Sequence, residues 1–415
     1  VYQIVALFRR AMRRDTFCGV KNGLSGRRDG WAMSILGMAL VLRLAWGLMQ
    51  PATIDAANLP DQAEYLELAQ HLRDEGRLYF FDDRFRQNVF AYRMPGYPML
   101  VAWCDASPRA VRVVQAILDT LTVLAMGLLA RDIAGTQAMR WTMGIVALNP
   151  LLIYFTGLIL SETLFTALLA WAMLMLWRHR WLRGGALLAL AVMVRPSAIG
   201  LGLALCVVAA IGLRRRQKIA AVAVPAVLTL LLLTWWGYRN YLLLGEWVWT
   251  TTNGGITLYD GFHPGATGAS DQSFVREMPE LSYTDELGRN RYLRQRAARF
   301  MSENPRRSAE LTFIKAARTL SPVPLSRQYA SPLTWAAGLG YSLPLMILVV
   351  WAVLVVRRMG SVKVYLLMPL IYFTAIHALS VGSLRYRIPA EPPMAILAAL
   401  VLLRRSNADD SRTYH

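Results

Sequence analysis

The chain has 415 residues, 55% of them apolar or aromatic and 17% charged, a balance too apolar and too charge-poor for an ordinary soluble enzyme. The apolar residues fall in runs of about 16 to 22, close to the ~20 that carry a helix across a ~30 Å hydrocarbon layer. The formal net charge of +19 raises the question of nucleic-acid binding, and the placement of the charge answers against it.

Ten apolar stretches follow in chain order, at about 31–50, 110–130, 138–157, 160–177, 184–195, 197–213, 218–237, 335–356, 362–381 and 388–403, the fifth and tenth being short. The two halves around Arg195-Pro196 also read as one broken helix. The first stretch follows a basic tail without a small-residue cleavage site, so it reads as an uncleaved anchor. Ten crossings put both termini in the cytoplasm. One set of connections then carries 22 basic and five acidic residues, while the opposite set carries 22 basic and 19 acidic ones. Every basic cluster lies on one side, so the excess is the positive-inside signal, and no nucleic-acid partner is expected.

The expected organisation is a basic tail at 1–30, an N-terminal transmembrane module at 31–237 that includes an outer loop at 51–109, a large outer loop at 238–334, C-terminal transmembrane helices at 335–403, and a tail at 404–415. The working surface therefore faces away from the cytoplasm, where nucleotide donors are scarce, and no phosphate-cradling Gly-rich loop is present. Cys18, Cys104 and Cys206 are the three cysteines. Only Cys104 faces an oxidising side, so no internal disulfide is expected, and no spacing suggests a zinc site.

The first outer loop opens on Leu59-Pro60-Asp61-Gln62-Ala63-Glu64-Tyr65. Leu59, Ala63, Leu66, Ala69 and Leu72 share a helical face, which predicts an amphipathic helix on the membrane surface. An acid in the first turn is ordinary dipole complementation, so on the residues alone Asp61 reads as a helix-start residue or as a catalytic one. Arg93-Met94-Pro95-Gly96-Tyr97-Pro98 then forces a turn and sets an Arg just outside an apolar stretch, where it suits a phosphate or simply snorkels.

The second loop begins at Trp236-Gly237-Tyr238-Arg239-Asn240 and continues through Asn253-Gly254-Gly255 and His263-Pro264 to Gly268, a turn-rich segment able to shape a pocket rim. Helices are predicted from about Tyr283 to Glu303 and then to Leu320, with breaks at Asn304-Pro305 and Ser321-Pro322. Ser383-Leu384-Arg385-Tyr386-Arg387 joins the last two spans, its Arg residues reading as phosphate ligands or as a structural pair with Glu391. Inside the membrane Arg43, Asp119, Glu162 and His377 need partners.

Taken in order, Pro60-Asp61-x-x-Glu64-Tyr65, Arg93-x-Pro95-Gly96-Tyr97-Pro98, Asn149-Pro150 with Ser161-Glu162, Arg195-Pro196, Arg239-Asn240, Asn253-Gly254-Gly255 and Arg385-Tyr386-Arg387-x-Pro389 resemble the GT-C superfamily of integral membrane glycosyltransferases. The likeness is to the bacterial relatives of the dolichyl-phosphate-mannose protein mannosyltransferases and to the lipid A aminoarabinose transferase. The resemblance implies an all-α GT-C-like fold of about ten membrane helices in the inner membrane. It also implies inverting transfer of a hexosyl or pentosyl unit from a polyprenyl-phosphate donor to a lipid, glycan or protein acceptor outside the cytoplasm. It maps the catalytic acid onto Asp61. Arg93, Arg239, Arg385 and Arg387 become candidates for the phosphate, and Glu64, Tyr97, Glu162 and His263 for the pocket. A divalent cation is the one cofactor it admits, but Tyr92-Arg93 stands where the aminoarabinose transferase has Glu-Lys, so the acidic pair for a metal is incomplete. The rival readings are a flippase for a lipid-linked sugar, which needs no loop carboxylate, and a ligase or polymerase using a lipid-diphosphate donor.

Overall fold

The computed structural model describes residues 30–54, 59–326, 329–356 and 360–412, with backbone alone from 405 onward. The basic tail and Cys18 lie outside these residues. The first helix, α1 (Gly30–Met49), carries one charged residue, Arg43, which is fully buried and paired with Asp119 of α4 (Pro108–Ala147). Arg43 also donates to the carbonyls of Ala147 and Val146 at 2.9 and 3.1 Å. Two of the intramembrane charges thus satisfy each other, and they lock α1 to both halves of α4.

Between them lie α2 (Pro60–Glu75), β1 (Phe80–Asp82), β2 (Gln87–Val89) and α3 (Gly96–Trp103). The strands form an antiparallel hairpin with Phe80 opposite Val89, an addition to the helical fold that the sequence reading did not anticipate. Three residues per strand are too few for a period-two pattern to show. The long α4 is two helices meeting at Ala134 and Gly135, where Gly135 has φ +85°, a conformation only glycine adopts without strain. Gly127 lets the two arms close: a Cβ there would stand 2.4 Å from the Met143 side chain.

Next come α5 (Pro150–Thr156), α6 (Glu162–Trp177), α7 (Trp181–Val194), α8 (Ala198–Ala209) and α9 (Arg215–Leu244). Asn149 caps α5, accepting from the Leu151 and Leu152 amides with Pro150 at the first helical position, the usual pairing of cap and proline. Pro196 separates α7 from α8 and leaves Arg195 extended, as the residue before a proline prefers.

The second loop folds as α10 (Gly254–Gly261), two 3-10 turns (Gln272–Glu277 and Pro279–Tyr283), α11 (Glu286–Glu303) and α12 (Pro305–Leu320). The last two end at the breaks predicted for them. The chain then returns through α13 (Pro332–Ala337), α14 (Leu343–Val355), α15 (Gly360–Ala378), a 3-10 segment (Leu384–Ala390) and α16 (Glu391–Arg412). Met394 to Ala399 are buried on every side. The final helix is therefore the centre of the bundle, packed on α4 and α14.

Among the described residues, six helical segments are long and apolar enough to cross a membrane: 30–49, 108–147, 215–244, 332–355, 360–378 and 384–404. Three shorter apolar helices, α6, α7 and α8, accompany them. Nine of the ten apolar stretches of the sequence each fall on one of these elements, and the remaining one, 138–157, covers the second arm of the folded-back α4 and the separate helix α5. The chain is a multi-pass membrane protein. Cys104 and Cys206 are buried free thiols.

Candidate active site

Asp61 occupies the first turn of α2, behind Pro60. It is not a cap, because the N-cap residue is Leu59 and no side chain bonds the helix end. Its carboxylate is instead shared between two guanidiniums: Oδ1 accepts from Arg93 Nη2 at 2.6 Å and Oδ2 from Arg385 Nη1 at 2.7 Å. One turn on, Glu64 accepts from Arg93 Nε at 2.9 Å and again from Nη2. The deepest stripe of α2 is Gln62, Tyr65, Leu68 and Ala69, turned from the predicted apolar stripe. Gln62 accepts from the Ile159 amide and Tyr65 packs edge-on against Tyr97. This rotation leaves Asp61 and Glu64 at the flank of the buried face, turned toward the arginines.

The cluster extends on both sides. Glu162, wholly buried in the first turn of α6, accepts from Arg195 Nη2 at 2.7 Å and from Arg385 Nε, while its Oε2 has no partner among the described residues. Arg195 also donates to Ser161 Oγ at 3.0 Å. Toward the hairpin, Arg84 chelates Asp82, donates to Tyr92 Oη at 3.1 Å and stands 3.7 Å from Glu64. Four carboxylates and four guanidiniums thus balance in one network, with Arg385, 324 residues from Asp61 in sequence, bridging it to Glu162.

Burial alone would raise the Asp61 carboxyl, but Arg93 and Arg385 outweigh it and hold the group well below the usual carboxylate range. Glu64 moves the other way: burial and the neighbouring Asp61 charge prevail over Arg93 and Arg84 and lift it above its ordinary value. Asp61 keeps about a quarter of its side chain exposed, against none for Glu162. Of the acids in the network it is the most accessible to a substrate.

The structure therefore gathers Asp61, Glu64, Arg93, Glu162 and Arg385, and it sets the other four sequence candidates elsewhere. Arg239 donates to the carbonyls of Phe90 and Leu78 at 2.7 and 2.6 Å, clamping the ends of the hairpin segment to α9. Tyr97 is buried behind α2, its hydroxyl bonded to Gln115. His263 is bonded to the Tyr259 carbonyl and stacks on that ring. Arg387 is fully buried and paired with Glu391 at 2.8 Å, with a further bond to the Ser321 carbonyl. Of the two alternatives for the last outer connection, Arg387 takes the structural pair and Arg385 the polar cluster. Arg387→Met alone is expected to destabilise the protein by about 3–5 kcal/mol, the usual cost of orphaning a buried partner, whereas adding Glu391→Leu restores most of that; thermal unfolding in detergent reads both.

Sequence reasoning missed Arg195 and Arg84 as members. Arg195 stood in a quoted motif, and its link to Ser161-Glu162 appears only once α6 and α7 pack together. Arg84 and Asp82 lie two residues apart, and nothing in that spacing tells a chelated pair from two exposed charges.

Among the described residues no group of three or more His, Cys, Asp or Glu side chains could hold a metal ion. The chemistry of the site agrees, since guanidiniums bond both oxygens of Asp61 and the Oε2 of Glu64. A divalent cation does not fit this donor set.

Beside Arg385 opens an apolar cavity of about 310 Å³, walled by Trp46, Tyr154, Phe155, Leu325 and Tyr329. Among the described residues, Arg318 and Arg385 are the cations on its lining. Burial lifts the Tyr329 hydroxyl to about 12, so it stays protonated at the cavity wall.

No protein-family model and no curated protein matches the chain. Solved structures do. The archaeal oligosaccharyltransferase AglB from Archaeoglobus fulgidus, in complex with an inhibitory peptide and a dolichol-phosphate, aligns over 92% of this chain and 52% of its own, with TM-score 0.54 and 13% identity. Its apo form gives TM-score 0.55 at 12% identity. ArnT from Cupriavidus metallidurans bound to undecaprenyl phosphate aligns over 92% of this chain and 79% of its own, at TM-score 0.40 and 14% identity. The chain spans about half the length of the oligosaccharyltransferase. The architecture of this chain is the GT-C fold.

Proposed function

We propose that the protein is an inverting glycosyltransferase that moves a sugar from a polyprenyl-phosphate donor to an acceptor on the extracytoplasmic side of the membrane. The observation that carries this is the adjacency of an accessible carboxylate, a set of guanidiniums and an apolar cavity: Asp61, Arg93 and Arg385 beside the cavity that Arg385 also lines. A lipid phosphate needs all three, and AglB with its bound dolichol-phosphate supplies a fold precedent. In this reading the chain crosses the membrane ten times with both termini inside, and the loops at 51–109 and 238–334 stand outside.

The reaction is a single displacement. The acceptor hydroxyl attacks the anomeric carbon as Asp61 takes its proton, the bond from that carbon to the phosphate oxygen breaks, and the polyprenyl phosphate leaves with the electron pair. Phosphate is a good leaving group, so no strong acid is needed; what is needed is preorganised positive charge. Arg93 and Arg385 provide it, with bidentate geometry suited to phosphate. The polyprenyl chain runs into the apolar cavity.

The resting arrangement links donor binding to base strength. While both arginines bond Asp61 it is ionised but a weak base. A phosphate drawing Arg385 toward itself loosens that hold and raises the proton affinity of Asp61 as the donor arrives. Lowering pH removes the base, so both rate constants fall on the acid side, at different places. The kcat/KM profile, which reports the free enzyme, stays level through pH 5 because Asp61 is held low. The kcat profile, which reports the complex, turns down at higher pH. Coincident acid limbs would contradict the coupling.

Because guanidiniums hold the carboxylates, chelating divalent cations with EDTA is expected to leave transfer within about twofold of its untreated rate, against the ~10²–10³ that losing a charge-stabilising group costs. The reading itself is tested by following labelled sugar from the polyprenyl-phosphate pool in membranes that contain the native protein or Asp61→Asn at equal abundance. Equal transfer by the two proteins would remove it.

A further inference from the structure

We infer that Arg318 is the residue that receives the phosphate of the lipid donor, a role resting on the reading above and not assigned to it by any sequence motif. Of the two cations that line the cavity among the described residues, Arg385 already has its Nε and Nη1 engaged by Glu162 and Asp61. Arg318 has one side-chain bond, from Nε to the Gly382 carbonyl at 3.3 Å, and no carboxylate partner among the described residues. A guanidinium without a counter-ion against apolar walls is costly, and burial does pull its affinity for the proton below the ordinary arginine range. Arg318 is half-buried, and an anion that joins it offsets this cost.

The placement is built, not incidental. Arg318 lies in the last turn of α12, and two loops cradle its side of the helix. The Gly382 amide bonds the Gly268 carbonyl at 3.1 Å. A Cβ at Gly268, where φ is +85°, would stand 2.8 Å from Ile314 and 3.5 Å from Arg318 Cδ. A Cβ at Gly382 would stand 2.4 Å from the Lys315 carbonyl oxygen. The glycines bring the loops against α12 and leave the guanidinium facing the cavity that Arg385 enters from its other flank of the sequence. An amphiphile with a hydrocarbon tail and an anionic head matches that lining; a free phosphate has no use for the apolar walls. In this arrangement Arg318 holds the phosphate while Arg385 passes between Asp61 and the donor.

The test measures binding to purified protein in lipid nanodiscs of a polyprenyl phosphate and of the uncharged polyprenol of equal length, for the native chain, Arg318→Gln and Arg318→Lys. The native protein is expected to prefer the phosphate, and Arg318→Gln to lose about 10- to 100-fold of that preference, the range for a hydrogen bond to a charged group, with polyprenol affinity unchanged. Unchanged polyprenol binding also shows that the variant is folded. Arg318→Lys, which keeps the charge without the fork, is expected to recover part of the preference. Full phosphate preference in Arg318→Gln would overturn the assignment while leaving the transferase reading intact; a native protein with no preference for phosphate would overturn both. Displacement of the lipid by millimolar inorganic phosphate would assign Arg318 to a soluble anion instead.

Discussion

Asp61→Asn is expected to lower sugar transfer by about 10²–10⁴-fold, the contribution of a positioned general base, while leaving insertion and abundance unchanged. The amide keeps the shape of the carboxylate and one acceptor oxygen, so Arg93 can still bond it and retains its bonds to Glu64. Arg385 likewise retains Glu162. The network loses one negative charge but no member, so the loss falls on proton transfer. A kinetic split identifies the role: kcat should collapse while the affinity for the lipid donor holds or improves, because two guanidiniums are freed for its phosphate. A variant with reduced abundance and proportionally reduced turnover would instead make Asp61 a structural residue.

Arg385→Ala should be the most damaging single change at the site, because it acts on both fold and chemistry. Glu162 is wholly buried and would keep only Arg195, and breaking a buried ionic network costs about 3–5 kcal/mol. Asp61 would keep Arg93 alone, and the leaving phosphate would lose a stabilising cation worth a further ~10²–10³ in rate. Arg385→Lys separates the two effects. An ammonium preserves the charge and much of the stability, but it cannot bond Asp61 and Glu162 through two edges of one plane. Near-native melting with a large loss of transfer is expected for Lys, and loss of both for Ala. If Lys restored full activity, the planar bridge would not matter.

The helices were legible because burial in lipid and protein alike writes long apolar runs, and proline breaks mark some of their ends: Pro196 between two short helices, Asn304-Pro305 and Ser321-Pro322 in the second loop; the start of α5 at Pro150 was not, because the apolar stretch 138–157 runs through it. Asp61 and Arg93 were legible as members of an ordered motif set. The network around them was not. Arg385 meets Asp61 from the far end of the chain, and no local spacing records that pairing. In the 3-10 segment Leu384–Ala390, Arg385 and Arg387 project to different surroundings, one to the polar cluster and the other to buried Glu391. Both look equally suited to a phosphate until the turn is built. The apolar stripe of α2 misled for a related reason: periodicity assumes that the buried side is apolar, but here Gln62 faces inward to bond the Ile159 amide and Tyr65 to pack edge-on against Tyr97.

The proposed mechanism requires a donor whose leaving group is a lipid monophosphate. Its most direct test is purified protein in sealed vesicles, offered one labelled sugar on polyprenyl phosphate, on polyprenyl diphosphate and on a nucleotide, with product chemistry and lipid sidedness read separately. Transfer of label to an acceptor from the monophosphate alone, with inverted anomeric configuration, is the result predicted. Movement of the intact lipid-linked sugar across the bilayer with no transfer, or transfer from the diphosphate in its place, would contradict it.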